Sequence, residues 1–343
     1  MIMDNVYSTR VTDQYISYGF SLRGKSHKKS GDPLQDFHAL SELPGGWFLA
    51  VVADGVGSEP HSDVGSKLAV ESFVEFITSR WGYFRDKDSI LNLMKSGFLY
   101  AAGKMMMKAS QDKNIINEYS TTLHATIMAH NIIYYAHAGD GGIIALSEQG
   151  ELVPVTEPLK AEDGECVIPL LAGPDYWQFG SADVPVNGVL LCTDGVYDKV
   201  AGMMLRHQPC KMDRALVSYF LNPWSFDFET DPSHTVEKVA KVFSDAEPND
   251  FYPHIVASLA QGGDDEKAGE MVVRYIFDND RPLETCKGIN DDITVAVIRS
   301  RCRFPEKQPL EYYMPPDWSS ITKNVYSILY GSHSEKQGDD DSI

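Results

Sequence analysis

Two short apolar runs in this chain each end in an Asp-Gly pair. Residues 47–53 are all apolar and lead into Asp54-Gly55, and residues 188–192 lead through a threonine to Asp194-Gly195. A short apolar run bounded by turn residues is typical of a buried strand, and Asp-Gly favours a tight turn. The pattern predicts two strands that each deliver a carboxylate to a glycine turn.

The same periodicities predict further elements in the first third of the chain. Residues 15–22 and 34–40 are predicted as strands, and the turn at residues 44–46 joins 34–40 to 47–53 in a hairpin. This hairpin brings Asp36 near Asp54 if its register places them opposite each other. Apolar residues then recur at helical spacing over residues 63–80 and 89–108.

Strand patterns resume at residues 121–129, 132–138 and 143–146, which predict an antiparallel meander with Gly139-Asp140 in its second turn. Residues 150–187 contain five prolines and lack periodicity, which favours a surface segment or flap. Helical patches are predicted within about 200–287, with stripes around Val236 and Met271. Residues 290–298 are predicted as a turn that leads into a last strand.

Composition narrows the possible functions. Hydrophobic residues form 43% of the 343 residues, enough for a sizeable core, and 49 acidic against 30 basic residues give a net charge of −19. This charge argues against nucleic acid as the main partner, because a phosphate backbone requires a Lys/Arg surface. Five scattered cysteines support neither a disulfide framework nor a zinc site. Without a signal-peptide pattern or an apolar run of about 18 residues, we expect a soluble cytoplasmic protein and no membrane partner.

Five aspartates lie at or beside predicted strands, each next to small or turn residues: Asp36, Asp54, Asp140, Asp194 and Asp291. Any one of them is ordinary turn chemistry. If they converge without basic partners, however, the carboxylates repel one another, and hard cations such as Mg²⁺ or Mn²⁺ relieve that repulsion. Two such ions activate a water and clamp a phosphate, and the carbonyl of Gly55 is a natural additional ligand.

The order of these motifs resembles the metal-dependent serine/threonine protein phosphatases of the type 2C family, especially its bacterial branch. The resemblance covers about residues 15–300. It rests on five stretches in the family's order: Gln35-Asp36; residues 52–57; Ser120-Thr121-Thr122 followed by Ala138-Gly139-Asp140; residues 191–198; and residues 291–295.

The resemblance implies an α+β fold, a four-layer αββα sandwich in which helices flank two antiparallel sheets. A dinuclear metal centre is expected at one end of this sandwich. The catalytic domain is predicted to span residues 1–302, with a flap-like segment at about 150–187. Residues 303–343 are predicted as a C-terminal appendage that has a short amphipathic helix and an acidic, disordered end.

Carried over residue by residue, the resemblance makes Asp54 the bridge between two Mn²⁺ or Mg²⁺ ions, with the Gly55 carbonyl bound to one of them. Asp194 and Asp291 bind the other ion, and Asp36 helps to hold the second. Asp140 matches the position that, with Asp194, forms a weaker third metal site in bacterial relatives. Asp292 replaces the family's usual Asn, and its role is open.

The implied function is hydrolysis of phosphoserine or phosphothreonine in a protein substrate by a hydroxide that bridges the two metals, without a covalent intermediate. The alternative is a catalytically silent member that binds phosphoproteins or regulates them. The presence of all five principal acids favours activity. A cognate Ser/Thr kinase is a further candidate partner.

One departure concerns the substrate phosphate. Many family members have an Arg a few residues before the first Asp, but residues 27–31 contain none. His27 is the favoured replacement, and Arg23, Lys28 and Lys29 are alternatives. These residues belong to a basic loop, residues 23–31, which is either simply solvated or an anion site.

A second departure concerns the general acid. Eukaryotic members have a histidine directly after the second Asp-Gly, where this chain has Val56. His61 lies nearby in sequence and is either the general acid or a loop histidine without a catalytic role. A metal-bound water is the other candidate proton donor.

Overall fold

Two antiparallel sheets face each other in this protein. The computed structural model describes residues 5–82, 86–162, 166–201, 212–222, 226–245 and 290–313. Its strands are β1 (Asn5–Val11), β2 (Tyr15–Leu22), β3 (Asp36–Leu43), β4 (Trp47–Asp54), β5 (Leu123–Ala129), β6 (Ile132–Ala138), β7 (Gly142–Ser147), β8 (Leu152–Pro154), β9 (Gln178–Ser181), β10 (Val186–Cys192) and β11 (Ile293–Ser300). The first sheet has the order β1-β2-β11-β10-β7-β8, and the second has the order β3-β4-β5-β6-β9.

Helices cover the outer face of each sheet. The helices are α1 (Lys25–Ser30), α2 (Ser62–Arg80), α3 (Lys87–Asp112), α4 (Asp194–Ala201), α5 (Arg214–Leu221) and α6 (Pro232–Asp245). Helices α2 and α3 pack on the second sheet, while α4, α5 and α6 pack on the first. The four layers are therefore helices, sheet, sheet and helices, which confirms the predicted αββα sandwich.

Strand β4 is apolar throughout because both of its faces are buried. Phe48, Ala50 and Val52 point into the core between the two sheets. Leu49 and Val51 alternate with them and pack in the core beneath α2 and α3. A strand covered on both sides reads as a continuous apolar run, which is the pattern from which this strand was predicted.

The hairpin of β3 and β4 has the register on which the sequence prediction depended. Asp36 lies directly opposite Asp54, at the open end of the hairpin. Opposed residues in an antiparallel pair have Cα atoms about 4.5–5.5 Å apart. Two carboxylates are thus brought together by strand pairing alone.

A buried histidine joins β3 to the other sheet. The two ring nitrogens of His38 lie 2.8 Å from the hydroxyls of Ser8 and Ser21, on β1 and β2. Burial lowers the pKa of His38 to about 4. The ring is therefore neutral near pH 7 and acts as a polar link inside an otherwise apolar interface.

The predicted meander of three strands is wrong at its second turn. Strands β5 and β6 pair as expected, but β7 pairs with β10 in the other sheet. The chain crosses between the sheets at Gly139, whose φ of +117° would strain any other residue. This crossover places Asp140 between the ends of the two sheets.

Other departures from the predicted elements are smaller. Strand β1 has no counterpart in the prediction, and part of the basic loop forms the short helix α1. The irregular segment 150–187 contributes β8 and β9, which are edge strands of the two sheets. Asp194 begins helix α4 instead of lying in a turn.

Several predictions lie outside the described residues: the helical stripe around Met271, and the amphipathic helix and acidic end within 303–343. Residues 303–313 contact the domain, because Leu152 donates its N–H to the Tyr312 hydroxyl at 2.7 Å. The boundary after residue 302 stays a prediction. Among the described helices, none has the length and apolar character needed to cross a membrane.

Candidate metal centre

Five aspartates meet at one end of the sandwich because strand ends coincide there. Asp36 begins β3 and Asp54 ends β4, while Asp291 directly precedes the short turn into β11. Asp194 follows β10, whose last residue pairs with the first residue of β7, just after Asp140. Carboxylate oxygens of Asp54, Asp140 and Asp194 all lie within 4.8 Å of one another.

The turn after Asp54 is held by its backbone. The Asp54 carbonyl accepts hydrogen bonds from the Thr121 hydroxyl at 2.7 Å and from the Thr122 N–H at 2.8 Å. A Cβ at Gly55 would lie 2.5 Å from the carbonyl oxygen of Ser62, so only glycine allows helix α2 to approach this closely. The turn therefore aims Asp54 and the Gly55 backbone at one cavity.

A threonine between β10 and α4 links the two sheets at this centre. The Thr193 hydroxyl donates to Oδ2 of Asp36 at 2.8 Å, and both residues are buried. The other carboxylate oxygen of Asp36, Oδ1, stays available to neighbouring groups, which include Asp54 across the hairpin. Thr193 thus orients an acid contributed by the opposite sheet.

Asp292, whose role was open, organises the loop before β3. Its carboxylate accepts hydrogen bonds from the N–H groups of Gly24 and Gln35, each at 2.6 Å, and from Nδ1 of His27 at 2.9 Å. The residue is 2% exposed, whereas the side chain of Asp291 is 53% exposed and lines the cavity. The two consecutive acids therefore have different surroundings.

Burial and mutual repulsion make the charged forms of Asp36, Asp54 and Asp194 unfavourable. Burial, followed by the charge of Asp292, raises the pKa of Asp36. Burial, followed by the charges of Asp36 and Asp194, raises the pKa of Asp54. The pKa of Asp194 rises to about 7, mainly through burial and then through the charge of Asp140. Clustered carboxylates of this kind suit hard divalent cations, which supply the missing positive charge.

The cavity above the acids has a volume of about 530 Å³. Its basic lining includes His27, Lys160 and Lys199. Nζ of Lys160 lies 3.2 Å from Oδ2 of Asp140. The Lys160 segment is held in place because Leu159 donates its N–H to the Gly139 carbonyl at 2.8 Å. The only direct salt bridges to the acids from described residues are those of His27 and Lys160.

Comparison with protein families decides the assignment. The family model described as Protein phosphatase 2C matches residues 23–234, well over half of the chain. The chain belongs to the protein phosphatase 2C family. Members of this family are phosphatases that use divalent metals, and the family predicted from the motif order is confirmed. A search of curated protein sequences gave no match.

The chain is also similar to solved structures of phosphatases. A bacterial serine phosphatase is 11% identical, over 85% of this chain and 99% of that chain, with a TM-score of 0.49. PppA, a key regulatory component of T6SS in Pseudomonas aeruginosa, is 18% identical, over 83% and 97%, with a TM-score of 0.48. The catalytic domain of PstP in complex with two manganese ions is 16% identical, over 84% and 98%, with a TM-score of 0.48.

The two histidines singled out in this phosphatase 2C sequence occupy different surroundings. His27 lines the cavity, with Nε2 3.8 Å from Asp291. His61 is not among the lining residues that the structure describes; its ring stacks on Tyr119, and its Nε2 lies 3.7 Å from Glu118. The structure thus brings His27 to the acids of the family site but does not bring His61 there.

Sequence reasoning missed three residues of this phosphatase 2C site: Thr193, Lys160 and Lys199. Thr193 directly precedes Asp194, so its place in the motif was a usable signal. No comparable signal marked Lys160 or Lys199, because a lysine in an irregular segment or on a short helix is ordinary at a protein surface.

Proposed function

We propose that this protein is a metal-dependent phosphatase that hydrolyses phosphoserine or phosphothreonine in protein substrates. The observation that carries the proposal is the convergence of Asp54, Asp140 and Asp194 within 4.8 Å at the floor of a cavity of about 530 Å³. Among the described residues, this cluster has one direct basic partner, Lys160 at Asp140, so it needs further positive charge.

The residues that would hold two Mn²⁺ or Mg²⁺ ions are Asp36, Asp54, the carbonyl of Gly55, Asp194 and Asp291. When bound, two such ions activate an attacking water and stabilise the charge on the phosphoryl oxygens. The chain's own part is to fix these ligands in advance. Thr193 orients Asp36, and the Thr121 hydroxyl and the Thr122 N–H fix the turn of Asp54. Asp292 holds the ring of His27 on helix α1.

The three cysteines that the structure describes support a mechanism without a cysteine nucleophile. Cys192 lies beside Asp194 in sequence, but burial raises the pKa of its thiol far above the ordinary value. Cys166 and Cys302 are exposed and do not line the described cavity. A buried thiol of raised pKa is a poor nucleophile.

Activity is the direct test of this function. We expect Mn²⁺-dependent release of phosphate from a phosphoserine or phosphothreonine peptide and from p-nitrophenyl phosphate, and complete loss of both in EDTA. The measurement is phosphate release at matched protein and metal concentrations. Metal binding without hydrolysis would support the silent, phosphoprotein-binding alternative, and hydrolysis that persists in EDTA would contradict the metal mechanism.

We also propose that His27 contacts the substrate phosphate. Asp292 accepts a hydrogen bond from Nδ1, so the ring presents Nε2 to the cavity. A proton on Nε2 lets the ring donate a hydrogen bond to a phosphate oxygen. We expect His27→Ala to raise KM for a phosphopeptide about tenfold, because a hydrogen bond to a charged group contributes roughly 1.5 kcal/mol.

Steady-state kinetics check this expectation for His27. His27→Arg, which restores the residue type usual in the family, is expected to keep KM near the wild-type value. Lys29→Ala, on the same helix but outside the cavity lining, is the matched control. An unchanged KM in His27→Ala would exclude the role.

The number of metal ions depends on Lys160. Asp140 was predicted to share a weaker third site with Asp194, but the Lys160 ammonium lies 3.2 Å from its carboxylate. We expect the wild-type protein to bind two Mn²⁺ ions and Lys160→Gln to bind a third, because the substitution frees the charge of Asp140. Titration followed by electron paramagnetic resonance of free Mn²⁺ measures the stoichiometry.

Lys199→Gln is the control for Lys160, since Lys199 lines the same cavity without a salt bridge to Asp140 among the described residues. Its stoichiometry should equal that of the wild-type protein. Three tightly bound ions in the wild-type protein would contradict the idea that the Lys160 ammonium takes the place of a third metal ion.

A further inference from the structure

A second cavity, of about 260 Å³, lies between β1, α1 and α6 and shares no lining residue with the metal centre. We call it the basic cavity, because the described residues that line it include four cationic side chains and a single acid, Glu237. The four are Arg23, Lys25, Lys28 and Lys241. In a chain with 49 acidic and 30 basic residues, such a local excess of positive charge is unexpected.

The lysines of the basic cavity are not neutralised within the described part of the chain. No ion pair there joins Lys25, Lys28 or Lys241 to a carboxylate. Arg23 is 9% exposed, and its guanidinium is fixed because it donates to the His27 carbonyl at 2.9 Å. Like charges gathered in a concave site repel one another, and a bound anion offsets that repulsion.

The size and remaining lining of the basic cavity indicate which anion fits. Besides the cations, Asn5 and Ser244 contribute hydrogen-bond donors. A volume of about 260 Å³ is below the roughly 300–1,000 Å³ of sites for drug-sized ligands. A single phosphoryl group fits these properties better than a nucleotide does.

Helix α1 separates the basic cavity from the metal centre. Lys25 and Lys28 line the basic cavity, whereas Ser26 and His27 line the metal cavity. The same helix is hydrogen-bonded to the segment that carries Asp291, because the Ser26 N–H donates to the Asn290 carbonyl at 2.9 Å. An anion that binds Lys25 and Lys28 therefore acts on the element that carries His27.

We propose that the basic cavity is a second phosphate site, which binds one phosphoryl group and thereby fixes α1 beside the metal centre. The ligand is either free phosphate or a second phosphorylated residue of the substrate, and the chemistry recognised is the same. Binding itself is independent of catalysis, whereas an effect on turnover rests on the proposed function.

The test uses the full chain with Asp54→Asn and Mg²⁺, so that binding at the metal centre is weakened. Calorimetric titration with inorganic phosphate is expected to show one remaining site. The double substitution Lys28→Gln with Lys241→Gln is expected to weaken that site at least about tenfold, since each lysine forms a charge-assisted contact.

The matched control for this experiment is Lys29→Gln with Lys238→Gln, which removes the same charge from the same two helices outside the basic cavity. It should bind phosphate as the parent does, and equal melting temperatures would show that both double variants fold. Absence of a remaining site, or equal weakening by both pairs, would overturn the proposal.

Two further readouts identify the ligand and the coupling. The first compares a doubly phosphorylated peptide with its singly phosphorylated form. If the doubly phosphorylated peptide binds more tightly, and only when Lys28 and Lys241 are present, then the ligand of the basic cavity is a second phosphorylated residue of the substrate. If the two peptides bind equally, the ligand is free phosphate.

The second readout is the ring resonances of His27. They should shift when phosphate is added to the Asp54→Asn protein, but not when it is added to the Asp54→Asn protein that also carries Lys28→Gln and Lys241→Gln. An unshifted ring would overturn the coupling through α1. Each result is obtained whether or not the protein hydrolyses phosphopeptides.

Discussion

Replacement of Asp54 by asparagine is expected to lower kcat/KM for a phosphoserine peptide in Mn²⁺ by about 1,000-fold, since loss of the proposed ligand to both ions would remove several kcal/mol of transition-state stabilisation. The substitution keeps the size of the side chain and removes its charge. Asp54 is opposite Asp36 in the hairpin and within 4.8 Å of Asp140 and Asp194, so no other acid occupies its position. Steady-state phosphate release measures the effect.

Two comparisons make this result specific. Asp88→Asn, at an exposed position in the first turn of α3, should retain full activity. In EDTA, Asp54→Asn should be at least as stable to unfolding as the wild-type protein, because it relieves repulsion in a buried acidic cluster. Full activity in Asp54→Asn would exclude Asp54 as the bridge between two ions.

The second large effect is a pH-dependent change in stability on replacing Asp194. Burial and the charge of Asp140 raise the folded-state pKa of Asp194 from 3.8 to about 7. Between these values the folded protein binds more protons than the unfolded chain, so this group lowers the free energy of unfolding as pH rises. A shift of this size corresponds to on the order of 4 kcal/mol at pH 8.

In EDTA, the stability of Asp194→Asn relative to the wild-type protein should therefore rise between pH 4 and pH 8. Urea unfolding at both pH values measures the difference, and comparing Asp194→Asn with the wild-type protein cancels contributions from groups that do not interact with Asp194, such as His38. Asp88→Asn is expected to show no such trend.

Metal binding should offset this loss of stability. At pH 8, Mn²⁺ at 100 times its Kd should raise the free energy of unfolding of the wild-type protein by about 2.7 kcal/mol. A pH-independent difference for Asp194→Asn would mean that the carboxylate does not titrate in this range.

The contrast between the two histidines shows the limit of proximity along the chain. His61 is seven residues after Asp54 and was a candidate for that reason, yet it is the N-cap residue of helix α2 and packs on Tyr119. His27 lies further from Asp54 in sequence but reaches the cavity, because Asp292, from the far end of the domain, holds its ring. Proximity to Asp54 along the chain therefore does not indicate which histidine reaches the cavity.

Local sequence determined where strands end and which side chains lie at those ends. The β4 run was recognisable because burial on both faces makes it apolar throughout, and the turns after Asp54 and before β11 follow from small and polar residues. The order of motifs was sufficient for the family and for the αββα sandwich.

Only the tertiary structure decided which of these strand ends meet and what neutralises them. The crossing from β6 to β7, the Lys160–Asp140 contact and the hydrogen bonds of Asp292 all join residues from separate elements. Periodicity and turn chemistry act over a few residues, whereas these contacts depend on how both sheets and their loops pack. For the same reason, only the tertiary structure shows that helix α1, within the predicted basic loop, lines two different cavities.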